Sequence, residues 1–238
     1  MTDLKDYLAL AAYPIIGIFV FDWRGARWAI EHHKTVLPTD IARKVEVTGR
    51  PLQFLRFALL FVALRAIAGS RFWSIVPIAG HVHSWHVLVL AGAVGAATML
   101  LSRQALAYYS RNSVYPECNE YLLRGSATLW LTVFLVGGFV EEFWRALCIV
   151  AFEQSNYNPA AIILMTAVAF SIAHQSGLPS RIAPGLSNAG PEVLLGLILG
   201  VLFAWSRSLV PPYVASVLYY SANFFLTRRA ALQTTRDS

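Results

Sequence analysis

Seven apolar runs, each set off from the next by a polar stretch, limit what this chain can fold into. They extend from Tyr7 to Trp23, Leu52 to Gly69, His86 to Leu101, Ala127 to Phe152, Asn158 to His174, Pro191 to Trp205 and Leu209 to Leu226. About 20 helical residues cross a hydrocarbon core of about 30 Å, and fewer suffice where polar ends snorkel to the interface. The expected fold is therefore all-α: a polytopic transmembrane helix bundle of about seven spans, forming one domain over residues 1–238. Composition excludes the water-soluble alternative. Of 238 residues, 57% are hydrophobic and only 13% charged, whereas about a quarter of an average soluble domain is charged.

The net charge of +6 would suggest a nucleic-acid partner in a soluble protein, but here it lies mostly between the runs and encodes topology. Arg24, Arg27, Lys34, Arg43, Lys44 and Arg50 fall in the first loop, Arg103, Arg111 and Arg124 in or beside the third, and Arg228, Arg229 and Arg236 in the tail. The loops between hold little beyond Arg71 and Arg207. An odd number of spans then puts the amino terminus outside and the carboxyl terminus in the cytoplasm, with the lipid bilayer as partner and no nucleic acid. Within the cytoplasmic loop 24–51, Arg24 to Val36 mixes Trp28, Ala29 and Ile30 with Arg and His, as an interfacial helix does. The first run has no small-residue cleavage site behind it, so it reads as a permanent span. The polar tail after Arg228 is expected to fray. Cys118 and Cys148 fall in a polar loop and an apolar run, which argues against a disulfide.

Chemistry concentrates in Val140-Glu141-Glu142-Phe143-Trp144-Arg145, where two acids and an arginine interrupt an apolar run. Ionisable groups at such depth are costly and face a partner or a water-filled cavity. On a helix Arg145 is at i,i+4 from Glu141 and i,i+3 from Glu142, so it can hold one carboxylate ionised. The other acid needs its own partner or a cavity. The following run ends Phe170-Ser171-Ile172-Ala173-His174, with Phe170 and His174 on one helix face. That histidine is the natural second group for holding a water or a metal.

These residues resemble the CAAX protease and bacteriocin-processing (CPBP, or Abi) intramembrane peptidases. The family's motifs are EExxxR, FxxxH and HxxxN or HxxxD. Glu141, Glu142 and Arg145 look like the first, and Phe170 with His174 matches the second. Leu194 to Gly200 and Ser208-Leu209-Val210-Pro211-Pro212 resemble its glycine-spaced helix and the start of its last one. The likeness covers about residues 120–226, which the resemblance implies is the catalytic core. The wording EEFWRA is similar to a branch associated in bacteria with exosortase and PEP-CTERM systems, so the expected location is a bacterial plasma membrane. Two departures stand out. Arg145 comes one residue early, turning its side chain about 100° round the helix; it either pairs with a different carboxylate or Gly137-Gly138 distorts the helix. The third motif lacks its histidine, being replaced either by Ser216 and Tyr220 or by Tyr219 and Asn223.

The resemblance implies an endopeptidase acting on a membrane-associated protein or peptide. It implies Glu141 as general base with His174 holding the water, Glu142 and Arg145 as a positioning pair, and Asn223 or a nearby Tyr as oxyanion donor. With the third-motif histidine absent, a metal-free reaction is favoured over a zinc-dependent one. The alternatives are a non-catalytic scaffold or immunity protein, and a proton-coupled transporter using Glu141, Glu142, Arg145 and His174 as a relay.

Other groups carry blander readings. His81, His83 and His86 alternate on an extended chain and suit an interfacial loop anchored by Trp85 better than a metal site. The adjacent His32 and His33 point apart. Arg56 and Arg65 are about half a turn out of phase, so at most one faces the bundle; snorkelling accounts for Arg56, and Arg65 is left as a substrate-side charge. One expectation conflicts with catalysis. With straight spans Glu141 lies about 21 Å from a cytoplasmic start at Ala127, whereas His174 ends a span on the cytoplasmic side, so the two meet only if the fourth span starts late or breaks at Gly137-Gly138, or the fifth continues beyond His174.

Overall fold

The structure, a computed structural model, describes residues 3–22, 54–69, 84–110, 127–175 and 189–234. These form seven helices and no strand. They are α1 (Leu4–Asp22), α2 (54–68), α3 (Trp85–Ser110), α4 (Ala127–Gln154), α5 (Pro159–Gln175), α6 (Ala189–Ser206) and α7 (Val210–Thr234). The interfacial helix expected at Arg24 to Val36, with His32, His33, His81, His83 and Cys118, lies outside the described residues.

The bundle exposes large apolar side chains and buries its few charged ones within an apolar core. Leu90, Leu101 and Val62 are each more than 60% exposed, while Arg56, Glu141, Glu142 and Arg145 are at most 4% exposed. Water would reverse that arrangement, and hydrocarbon permits it. Among the described residues Trp85–Ala105 is long and apolar enough to span alone, with Pro159–His174 and Gly190–Ser206 apolar but shorter. Trp85 opens α3 and is exposed, as an interfacial anchor would be.

Local sequence sets the hairpins. At the end of α4 Asn156 adopts a left-handed φ of 62°. The Tyr157 amide donates to the Phe152 carbonyl at 3.2 Å and the Asn156 amide to that of Glu153 at 3.0 Å, the paired bonds that close a helix with a left-handed residue. Asn158 then accepts from the Ala160 amide at 2.9 Å, capping α5, while Pro159 fills the first helical position where no amide is required. The turn between α6 and α7 repeats the device with Arg207 at φ 51° and Ser208 Oγ accepting from the Val210 amide at 3.2 Å. Both turns meet at one end of the bundle, where Arg207 pairs with Glu153. The start of α1 is there too, through Ser155 Oγ to Asp6 at 3.0 Å and Tyr7 to Tyr157 at 2.7 Å. Shared placement of the chain start and these two turns is what alternation of seven spans requires.

Two helix ends differ from expectation. Helix α4 has 28 residues, about 42 Å, and so exceeds the hydrocarbon core. Helix α7 continues to Thr234 through the tail expected to fray, because Ala230, Ala231, Leu232 and Gln233 are strong helix formers. Close helix approach depends on glycine. A β-carbon at Gly196 would lie 2.7 Å from the Ala167 Cα, and one at Gly200 would lie 2.8 Å from Ile163. This small-xxx-small face lets α6 lie against α5.

Candidate active site

Depth is decided by the α4–α5 hairpin. Glu141 lies about 20 Å before the end of α4 and His174 about 22 Å after the start of α5. Measured from their shared turn the two therefore sit level, and Glu141 Oε1 is 3.8 Å from His174 Nε2. The expected conflict is thereby removed: α4 is longer than the membrane core, so distance from Ala127 does not measure depth. Nor does Gly137-Gly138 break the helix, since α4 is continuous through both. Gly137 instead admits a neighbour, because a β-carbon there would collide with the Phe57 ring of α2.

The two adjacent acids have separate surroundings. Arg145 Nε donates to Glu142 Oε2 at 3.0 Å and Nη2 to Oε1 at 3.5 Å, while Nη1 reaches the Gly196 carbonyl of α6 at 3.3 Å. Arg145 is thus paired to Glu142 at i,i+3, without helix distortion. Its guanidinium lies 4.7 Å over the Phe170 ring, whose centroid is 4.0 Å from that of His174. The phenylalanine of the Phe170–His174 pair therefore separates a fixed cation from the imidazole.

Glu141 faces the other way. Tyr13 of α1 donates to Glu141 Oε1 at 2.5 Å, and Arg56 Nη2 of α2 lies 3.4 Å from the same oxygen while donating to the Tyr13 hydroxyl. Snorkelling is thus the wrong account of Arg56: it is buried, with its guanidinium 4.7 Å over the Tyr13 ring. Its out-of-phase partner Arg65 is exposed and donates to the Gly69 carbonyl. A buried carboxylate with no cation costs several kcal/mol, and Arg145 is already committed to Glu142 and the Gly196 carbonyl. Two adjacent acids beside one arginine were the sequence signal for Arg56. Tyr13, a tyrosine in an apolar run, gave no signal.

His174 completes the cluster. Nδ1 lies 3.0 Å from the Phe170 carbonyl, which can only accept, so Nδ1 carries the proton. Nε2 then presents its lone pair toward Glu141 and toward the Tyr220 hydroxyl at 3.4 Å. On α7 the register of Ser216 and Tyr220 faces this centre. Ser216 is buried beside Gly138, and Tyr219 instead accepts from Arg103 of α3 at 3.0 Å. Asn223 is half-buried, and no described hydrogen bond links it to Glu141 or His174. For a metal the donor set is short. Among the described residues no three His, Cys, Asp or Glu side chains converge, and Glu142 is taken by Arg145, whereas zinc takes three or four protein ligands.

An apolar cavity of about 630 Å³ opens between α2, α4 and α7, lined by Phe57, Phe61, Val136, Val140 and Tyr213 among others. Val140 precedes Glu141 and Phe57 follows Arg56 in the chain.

Fold and site together define a helical membrane protein with a buried acid–histidine centre. The family model described as type II CAAX prenyl endopeptidase Rce1-like matches residues 123–221, which contain Glu141, Glu142, Arg145, His174 and Tyr220. That stretch, less than half of the chain, is similar to the CAAX protease family, a family of integral membrane proteases. No curated protein and no solved structure matches the chain. Tyr13 and Arg56 lie outside the matched residues.

Proposed function

We propose that the protein is an intramembrane endopeptidase that hydrolyses a peptide bond of a membrane-associated protein or peptide with a water activated by Glu141. The observation carrying this reading is the 3.8 Å separation of Glu141 Oε1 and His174 Nε2 in an otherwise apolar bundle. Two basic atoms at that distance are suited to holding one water between them. Glu141 takes a proton from the water, and the remaining hydroxide oxygen bonds to the scissile carbonyl carbon. The oxyanion so formed needs a donor, for which the Tyr220 hydroxyl is placed and Asn223 is the second candidate. Collapse breaks the C–N bond as the proton on Glu141 passes to the leaving amine. Glu142 and Arg145 hold α4, α5 and α6 around this centre. The donor set favours a reaction without metal.

The apolar cavity beside Val140 suits lateral entry of an apolar substrate segment from the bilayer. The loops rich in Lys and Arg are proposed to face the cytoplasm, with the amino terminus outside, in a bacterial plasma membrane.

The test is cleavage of a membrane-peptide library by purified wild type, Glu141→Ala and His174→Ala, each with and without chelator. Cleavage that vanishes in both variants and survives chelation supports the reading. Loss on chelation would replace it with a metal mechanism. Equal cleavage by Glu141→Ala would remove Glu141 as the base, and no cleavage by wild type would leave a scaffold or carrier.

A further inference from the structure

We infer that Tyr13 and Arg56 are positioning residues for Glu141, so that the working centre is completed by α1 and α2, outside the stretch that matches the CAAX protease family. The inference rests on the reading of Glu141 as base and extends it. It starts from an asymmetry between neighbouring acids. Arg145 meets Glu142 through two nitrogens on two oxygens and is tied to the Gly196 carbonyl, which immobilises the carboxylate. Arg56 and Tyr13 both meet Glu141 at one oxygen, Oε1, and His174 Nε2 is nearest that same atom. None of these partners is on Oε2. Oε1 is therefore anchored on the side that faces His174, which fixes where a water between the two groups would lie.

The chain of donors has a direction. Arg56 donates to the Tyr13 oxygen, and the Tyr13 hydroxyl passes its own hydrogen to Glu141. The tyrosine ring is fixed on several sides, 4.9 Å from the Trp144 ring, 6.1 Å from Phe170 and 6.0 Å from His174. The Trp144 indole donates to the Ala9 carbonyl at 2.8 Å, holding α1 against α4 one turn from Tyr13. On the other side Gly137 lets Phe57 approach α4, which brings the preceding residue, Arg56, to Glu141. A group whose sole task was to neutralise a buried acid would not need to be tied as well to a phenol that bonds the same carboxylate oxygen. Such an arrangement fixes both the charge and the rotamer of Glu141.

The test uses the full chain in lipid nanodiscs, with Arg56→Gln, Arg56→Lys and Tyr13→Phe. Two readouts are taken: kcat and KM on any peptide the wild type cleaves, and the infrared carboxyl band of Glu141, assigned by its loss in Glu141→Gln. Arg56→Gln is expected to lower kcat about 100-fold with KM within about twofold, since an interaction made through the base acts on the chemical step. Arg56→Lys should recover part of that loss and Tyr13→Phe should lower kcat about tenfold. The Glu141 band should move in Arg56→Gln and in Tyr13→Phe. An unmoved band, or a rise in KM with kcat kept, would overturn the inference. If Arg56→Gln does not fold, Tyr13→Phe and Arg56→Lys decide by the same readouts. Should the wild type cleave nothing, the protease reading fails alone, and the band still decides whether Tyr13 and Arg56 control Glu141.

Discussion

Glu141 and Glu142 are consecutive residues in one helix, yet they occupy opposite kinds of site. Glu142 is locked, with Arg145 bonded to both its oxygens and the guanidinium wholly buried. Glu141 is bonded at one oxygen, by groups from two other helices, beside an imidazole that is 21% exposed. About 100° of helix rotation separates the two side chains, enough to point one into the packed seam between α4, α5 and α6 and the other into a polar pocket. Adjacent carboxylates therefore have different surroundings: one is tied into a seam of three helices, and the other meets its partners at a single oxygen.

The strongest way to break this comparison is to neutralise each acid in turn. Glu142→Gln leaves the Arg145 charge buried without its partner, and a loss of about 3–5 kcal/mol is expected. Glu141→Gln also takes the carboxylate from a buried arginine, Arg56, but the amide keeps a hydrogen bond to Tyr13 and Arg56 keeps the Tyr13 hydroxyl, so a smaller loss of about 2–3 kcal/mol is expected. Thermal or denaturant melts in detergent read both, and equal losses would mean that the two acids are alike. A subtler change tests the seam alone. Gly196→Ala pushes a methyl into the Ala167 backbone and should destabilise by about 1–3 kcal/mol, with the Glu141 infrared band unmoved if the two sites are separate. The smallest effect is expected at the far end of the bundle. Arg207, with a half-exposed side chain, pairs with Glu153 outside the apolar core, so Glu153→Gln should change stability by less than about 1 kcal/mol and less still in high salt. A larger loss there would show that the turn pairing, and not the buried centre, holds the bundle closed.

Much of the centre was legible beforehand because charge is rare in this chain. In apolar runs Glu141, Glu142, Arg145 and His174 each stand out, and motif spacing joined them. The same rarity misled at Arg56, where a single cation near the end of a run reads as a snorkelling side chain. Its direction depends on how α2 rotates, and that is fixed by Phe57 entering the space left at Gly137. Two readings of α7 stood equal in sequence for a related reason. Ser216 and Tyr220 share one face and Tyr219 and Asn223 another, and only packing shows that Tyr220 turns to His174 while Tyr219 turns to Arg103.

The sequence by itself determined the helical membrane class, the turns between α4 and α5 and between α6 and α7, and the residues of α4 and α5 that belong together. These follow from hydrophobic run length, turn chemistry and the cost of charge in hydrocarbon, all of which act locally along the chain. Tertiary structure alone decided the depth at which Glu141 meets His174 and which cation serves which acid. Depth is set by the hairpin from which two helices are measured, and pairing by helix rotation. Both are relations between segments far apart in the chain, which no single run of residues encodes.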